Sequence, residues 1–141
     1  MHHHQHQLAL ICQTQTGSAF VINALIEAER VELLSGEVEV FDTATPGGVG
    51  QMIARCPKCK VAVWSNYNMF MPGDHIRFMR VGTYDNPNVS PPDVHIYTAT
   101  KQDWVVLPAE DQVAEEFYDF DSTWSTNSKK RISAVQKVAA E

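Results

Sequence analysis

The chain has 141 residues, of which 44% are hydrophobic and 20% charged, a composition typical of one soluble globular domain with a sizeable core. Its formal net charge of −6 argues against a nucleic-acid surface, because phosphate binding requires clustered lysine and arginine. No apolar run approaches the roughly 20 residues of a membrane-spanning helix and no secretory signal is visible, so we expect no membrane partner. Three cysteines are an odd number, which fits reduced thiols in the cytoplasm better than a disulfide framework.

The start of the chain is rich in histidine, and we interpret residues 1–9 as a disordered segment without a function of its own. A metal-binding tract is the alternative, carried by His2, His3, His4 and His6.

Strand-like segments, rich in apolar and β-branched residues, follow one another along most of the chain: residues 19–26, 37–41, 51–55, 61–64, 76–81 and 94–97. Turn signals containing glycine, proline, asparagine or aspartate separate several of them. Apolar residues recur at helical spacing only near the end, from Ile132 to Ala139, where Asn127 or Ser128 is the expected N-cap. The basic run at residues 129–131 is expected to be a solvated face of that helix. The sequence therefore predicts a mainly β fold with a short C-terminal helical tail.

The most informative motif is the pair of cysteines Cys56 and Cys59, separated by Pro57 and Lys58. If the flanking segments pair antiparallel, both thiols lie at the tip of a hairpin. This spacing is typical of one half of a tetrahedral zinc site, which needs two further ligands. A redox pair is an alternative, but that chemistry favours a helix N-terminus, whereas the residues after Cys59 favour a strand. Unligated thiols are the third interpretation.

Other conspicuous residues have structural interpretations. The spacing of Cys12 in the sequence favours its interpretation as a small, buried hydrophobic residue. His95 alternates with apolar neighbours and is expected to be a hydrogen-bonded structural histidine, and His75 is expected on a loop surface. Four aromatic residues belong either to the core or to the lining of a pocket for a thiol adduct: Trp64, Tyr67, Phe70 and Trp104. We find no Ser–His–Asp arrangement, phosphate-binding glycine loop or carboxylate pair.

Several of these motifs occur together in one known family. Cys12, the Gly-Ser-Ala-Phe of residues 17–20, the Ser-Gly of residues 35–36 and the Arg-Cys-Pro-Lys-Cys of residues 55–59 resemble the glutathione-dependent formaldehyde-activating enzyme family, which includes centromere protein V. The match continues in order through residues 81–85, the Pro-Pro of residues 91–92, the His-Ile-Tyr of residues 95–97 and Trp104. The resemblance covers residues 10–107, which we expect to be a zinc-binding β domain, with residues 108–141 as a helical extension.

The resemblance implies an Mss4-like fold, a β-tent, with two Zn²⁺ sites. Cys56 and Cys59 match the later half of a structural site, and Cys12 matches the last of three cysteines in a second site that is proposed as catalytic. The chain departs from the family where Ala9 and Gln7 occupy positions of other ligands of that second site. The N-terminal Cys-x-Cys of the structural site has no counterpart, so a zinc-ligand segment is apparently missing.

For function, the resemblance implies a carbon–sulfur lyase acting on adducts of glutathione and formaldehyde, as in S-hydroxymethylglutathione synthesis, with an incomplete catalytic metal site. The alternatives are a non-catalytic, zinc-stabilised β binding module and a decayed fragment. Cys12 joined by one of the N-terminal histidines is a conceivable hybrid zinc site. If the first strand of the domain is absent, an exposed sheet edge would favour a homodimer.

Overall fold

A computed structural model describes residues 3–46, 48–67 and 74–140. In this part of the chain seven strands form one mixed sheet: β1 (His3–Gln7), β2 (Val21–Glu27), β3 (Glu39–Thr43), β4 (Gln51–Arg55), β5 (Ala62–Tyr67), β6 (Ile76–Arg80) and β7 (Val94–Ile96). Three α-helices accompany the sheet: α1 (Leu10–Thr16), α2 (Phe120–Thr123) and α3 (Thr126–Ala139). The mainly β fold and the short C-terminal helix are therefore confirmed. No helix in the described ranges is long and apolar enough to cross a bilayer.

The strands lie in the order β3-β4-β5-β6-β2-β1-β7, and neighbouring strands are antiparallel except for the parallel pair β1 and β7. One outer strand is β3, on which Val40 and Phe41 are exposed. The edge beyond β7 is partly covered, because the backbone N–H of His95 donates to the carbonyl oxygen of Gln112 at 2.8 Å.

The expectation of a disordered, histidine-rich start is wrong for residues 3–7. These residues form β1, which lies inside the sheet between β2 and β7, so its backbone groups are paired on both sides. His3 stacks on Trp124 with ring centroids 4.6 Å apart, and His6 meets the ring of Phe20 edge-on at 4.0 Å. A neutral imidazole packs as an aromatic ring, which is why a polar composition forms a buried strand here. His2 lies outside the described residues.

The C-terminal segment covers one face of the sheet. Its aromatic and aliphatic side chains form a core with inward-facing residues of β2, β6 and β7: Leu25, Ile76, Phe78, Val94, Ile96, Tyr118, Trp124 and Ile132. The tail is thus part of the fold's main core.

The helix α3 begins two or three residues earlier than expected, because its N-cap is Ser125, whose hydroxyl oxygen accepts from the backbone N–H of Ser128. The basic run at its start is also not wholly solvated. Arg131 forms a hydrogen-bonded ion pair with Glu27 of β2, with Nε and Oε1 2.5 Å apart, and this pair fixes the helix to the sheet.

Candidate functional site

The two cysteines of the Cys-x-x-Cys motif lie at the tip of the hairpin formed by β4 and β5, as the sequence predicts. The backbone N–H of Cys56 donates to the carbonyl oxygen of Val61 at 2.9 Å, and the N–H of Lys60 donates back to the carbonyl oxygen of Cys56 at 2.9 Å. Lys60 adopts a left-handed conformation with φ of 61°. The turn therefore reverses the chain within six residues, and we call residues 56–61 the knuckle.

The sulfur of Cys56 is a hydrogen-bond acceptor within the knuckle. The backbone N–H groups of Cys59 and Lys58 and the side chain of Cys59 all donate to it, and these bonds lower the pKa of Cys56. No helix begins at the knuckle, so the helix N-terminus that a redox pair favours is not present there.

The donor atoms of the knuckle fit only half of a zinc site. A structural zinc ion takes four ligands, and the knuckle supplies two. Within residues 3–46, 48–67 and 74–140 no group of three or more histidine, cysteine, aspartate or glutamate side chains could hold a metal ion.

Cys12 lies in a different environment. It is buried on α1, and its thiol donates to Oε1 of Gln7 at 3.3 Å. Burial raises the pKa of Cys12, so the group stays a thiol at neutral pH. Ala9, the N-cap of α1, has no donor atom for a metal. These three residues do not fit the family's second zinc site, which uses three thiolates.

The hybrid zinc site with an N-terminal histidine is also not formed by the described residues. His4 and His6 alternate with Gln7 along β1 and therefore face the opposite side of the sheet from it. His3 is on the same side as Gln7, but its ring packs against Tyr118 and Trp124.

The helix that carries Cys12 lies near the first residue of β4, whereas the knuckle follows the last residue of β4. Gln15 of α1 donates to Oε1 of Gln51, the first residue of β4, at 3.3 Å, whereas Cys56 follows the last. Five strand residues span about 17 Å, so Cys12 does not complete the knuckle.

A cleft of about 670 Å³ opens between α1, the base of the knuckle and the end of β6. Its walls are Gln15, Thr16, Phe20, Val21, Ile22, Arg55, Val61, Ala62, Arg80, Val81, Gly82, Pro87, Asn88, Ser90, Pro91 and Pro92. Arg55 and Arg80 are the only charged residues among these lining residues, and none of them is acidic. Sites for small molecules have volumes of roughly 300–1,000 Å³, so this cleft has the size of a ligand site.

The buried guanidinium of Arg80 is held in place from one side. Its Nη1 donates to Oδ1 of Asn23 at 2.9 Å, while its Nε has no hydrogen-bond partner. Burial without a partner leaves this cation with donor capacity to spare.

Several buried amides share the sheet face with Arg80. In the register of β1, β2 and β6, Gln5 is opposite Asn23 and Asn23 is opposite Arg80, so the three side chains point to one side. Buried nitrogen atoms without a partner include Nε2 of Gln5, Nδ2 of Asn23 and Nε2 of Gln51. The face beneath α1 is therefore rich in unpartnered amide groups, including the acceptor Oε1 of Gln5. The sequence did not lead us to expect this polar face. The available signal was that Arg80 alternates in step with Ile76 and Phe78 along β6 and so lies on the same side of the strand as these apolar residues.

His95 is hydrogen-bonded, as expected, and belongs to a buried chain of hydrogen bonds. Its Nδ1 lies 2.5 Å from Nδ1 of His6, and its Nε2 lies 2.7 Å from Oδ2 of Asp111. Burial, together with the neighbouring His95, lowers the pKa of His6 to about 4.

The aromatic residues have different positions. Trp64 is buried and Tyr67 packs against the core, whereas Trp104 is 69% exposed and lies outside the core. None of these three lines the cleft, and Phe70 lies outside the described residues. His75 is half-buried beside β6.

Comparison with known protein families identifies a family for most of the chain. The family model of the glutathione-dependent formaldehyde-activating enzyme matches residues 6–100, about two thirds of the chain. No curated protein matches the chain.

Proposed function

This chain belongs to the glutathione-dependent formaldehyde-activating enzyme family, and from that premise we propose that it binds a glutathione-type thiol and its formaldehyde adduct, S-hydroxymethylglutathione. The proposed site is the cleft beside α1. The observation that carries the proposal is the charge of its lining, where Arg55 and Arg80 are the charged residues and no lining residue is acidic.

The chemistry of glutathione suits such a lining. The tripeptide carries two carboxylates and one ammonium group, so it is a net anion at neutral pH. A guanidinium group binds a carboxylate with two parallel hydrogen bonds, and Arg80 lines the cleft while its Nη1 is bonded to Asn23. The apolar walls at Phe20, Val61 and Pro91 would contact the peptide's methylene groups. Arg55 ends β4 and Arg80 ends β6, so the lining offers one guanidinium group from each of two strands for the two carboxylates.

The reaction associated with the family is the addition of a thiol to formaldehyde. The sulfur forms a bond to the carbonyl carbon, and the thiol proton ends on the former carbonyl oxygen. The reverse reaction breaks the carbon–sulfur bond, which is the lyase direction. Since Cys12, Gln7 and Ala9 do not fit a catalytic zinc ion, we derive no step through a metal at this position. What we propose for the chain's own residues is binding and orientation of the thiol.

A binding module without catalysis is the second candidate function. It is favoured by the burial of Cys12, which raises the pKa of the thiol and makes it a weak nucleophile. Both candidate functions use the same cleft, and they differ in whether the protein accelerates a reaction there. A protein that accelerates the breakdown of S-hydroxymethylglutathione is an enzyme, and one that binds it without acceleration is a module.

Calorimetric titration with S-methylglutathione tests the proposal, because this analogue cannot release formaldehyde. We expect Arg80→Gln to weaken binding about tenfold, as the loss of a charge-assisted hydrogen bond would. Arg55→Gln, at the edge of the cleft, should weaken it several-fold without disturbing Asn23. Lys137→Gln removes an exposed cation from α3 and serves as the matched control. Equal affinities in the folded variants would refute the proposed site.

A further inference from the structure

The two cysteines of the knuckle lie in one exposed turn. The backbone N–H of Lys60 donates to the carbonyl oxygen of Cys56 at 2.9 Å, which closes a single turn of helical type. Side chains three residues apart in such a turn lie on the same side, with Cβ atoms roughly 5–6 Å apart. A disulfide needs about 3.5–4.5 Å between these atoms, so the turn has to tighten by about 1–2 Å. Residues 58–61 are exposed, which leaves the tip of the hairpin free to make this movement.

The zinc ion that the family resemblance implies for these cysteines does not fit the donor set around them. A structural zinc ion takes four ligands. Cys12, the third cysteine of the chain, is buried on α1. The carboxylate of Glu39 on the neighbouring strand is held by Lys60, whose Nζ lies 2.5 Å from Oε2. Within the described ranges, Cys56 and Cys59 are therefore a dithiol without further ligands.

We propose that Cys56 and Cys59 are a redox-active pair, which a glutathione-type disulfide oxidises to an intramolecular disulfide and a glutathione-type thiol reduces again. This site is distinct from the cleft, although Arg55 and Val61 border both. The reaction uses the chain's own sulfurs and therefore takes place whether or not the cleft binds glutathione.

The oxidation proceeds in two exchange steps. The thiolate of Cys56 attacks one sulfur of the external disulfide, whose S–S bond breaks, and the leaving thiolate takes up the proton that Cys56 released. The thiolate of Cys59 then attacks the Cys56 sulfur of this mixed disulfide and displaces the second thiolate, which takes up the proton from Cys59. The protein loses two electrons and two protons, and the external disulfide is reduced to two thiols.

The turn itself supplies the stabilisation of a thiolate that a helix N-terminus supplies in other redox pairs. The backbone N–H groups of Lys58 and Cys59 donate to the sulfur of Cys56. Such hydrogen bonds stabilise an anionic acceptor, and the thiolate is the form of cysteine that attacks a disulfide. Cys56 is therefore the attacking residue, and Cys59 is the resolving residue.

The charges around the pair favour an anionic partner. Lys58 is exposed within the turn, and the guanidinium group of Arg55 donates to the carbonyl oxygen of Lys60 at 3.0 Å. The carboxylate of Glu39 is neutralised by its ion pair with Lys60. Glutathione disulfide is a net anion at neutral pH, because its carboxylates outnumber its ammonium groups. Electrostatic attraction therefore raises its rate of encounter with the knuckle.

Equilibration in glutathione buffers tests this proposal. The full chain carrying Cys12→Ser, in which the pair holds the only thiols, is incubated without air at increasing ratios of glutathione disulfide to glutathione. Free thiols are then alkylated and counted by mass spectrometry. We expect two alkylated cysteines in reduced buffer and none in oxidised buffer, where the mass falls by two hydrogens and no glutathione stays attached. Reduced glutathione should restore both thiols.

Three variants and a neutral disulfide sharpen the result. Cys59→Ser in the same background should stop at a mixed disulfide, with one glutathione attached to Cys56. Lys58→Gln should be oxidised by glutathione disulfide about twofold more slowly, whereas the matched control Lys137→Gln on α3 should react at the parent rate. Hydroxyethyl disulfide carries no charge and should oxidise the parent and Lys58→Gln at equal rates. Because this reagent contains no glutathione, its reaction separates the redox pair from binding in the cleft.

Three outcomes would overturn the proposal. Two alkylated cysteines in fully oxidised, millimolar buffer would show that the pair does not form a disulfide. Two attached glutathione molecules would show that the thiols react independently of each other. Thiols that resist alkylation in reduced buffer until a chelator is added would show that they bind a metal ion instead.

Discussion

The two buried histidines of β1 should make the protein sensitive to mild acid. Burial lowers the pKa of His3 to about 4, and burial together with His95 lowers that of His6 to about 4. In the unfolded chain both return to the ordinary value near 6.5. Between these values the unfolded state binds more protons than the folded state, so stability falls as pH falls through 6.5 and the loss is complete near pH 4.

The size of this effect follows from the two pKa values. A shift from 6.5 to about 4 costs about 2 kcal/mol per histidine between pH 7 and pH 5. His3 and His6 together lower the free energy of unfolding by about 4 kcal/mol over this interval, a large part of the 5–15 kcal/mol typical of a domain. Asp93 lies 3.9 Å from His3 and reduces the shift, and this reduction is already included in its pKa.

Urea denaturation at pH 7 and pH 5, followed by fluorescence of the buried Trp64 and Trp124, measures the loss. With a slope of about 1.5 kcal/mol per molar urea, the midpoint should fall by roughly 2–3 M. His6→Asn keeps a polar atom toward His95 and should remove about half of the difference between the two pH values. His75→Gln, outside the sheet, should leave the difference unchanged.

The comparison uses only the difference between the two pH values, so any constant destabilisation of a variant cancels. An unchanged midpoint of the parent protein between pH 7 and pH 5 would refute this account of β1. The same conclusion follows if His6→Asn loses as much stability in acid as the parent does.

Three further predictions concern single residues. Arg131→Gln should lower the free energy of unfolding by about 1–3 kcal/mol, because it leaves the carboxylate of Glu27 buried without its ion pair; urea denaturation against an exposed Lys130→Gln control checks this. Gly17→Ala should cost about 1 kcal/mol, since Gly17 ends α1 at φ of 67°, and a melting temperature unchanged within error would contradict it. Cys12→Ser should change the rate of S-hydroxymethylglutathione breakdown less than twofold, because the thiol stays protonated. An NMR exchange experiment measures this rate, and a tenfold lower rate in the variant would contradict the prediction.

The hairpin at residues 51–67 could be predicted from the sequence because local signals agree there. Apolar strand residues flank a short motif whose spacing fixes the chemistry, and the turn satisfies its own backbone groups. The separation of Cys12 from the knuckle was likewise implied by the family resemblance.

Burial of polar residues could not be predicted in the same way. The histidines of β1 form a strand because β2 and β7 pair with it on both sides, and this pairing is a property of the whole sheet. The position of Arg80 at the cleft depends on Asn23, 57 residues away in sequence. Polar and charged residues are exposed in most proteins, so their type alone predicts exposure, whereas tertiary contacts decide where they lie.

The binding of a glutathione-type ligand in the cleft is the central claim, and backbone amide chemical shifts test it most directly. Addition of S-methylglutathione to ¹⁵N-labelled protein should shift the signals of Thr16, Ala62 and Gly82, which line the cleft, and leave those of α3 unchanged. Saturable shifts confined to these walls are the predicted result. No shifts at millimolar ligand, or shifts at α3 alone, would contradict the proposed function.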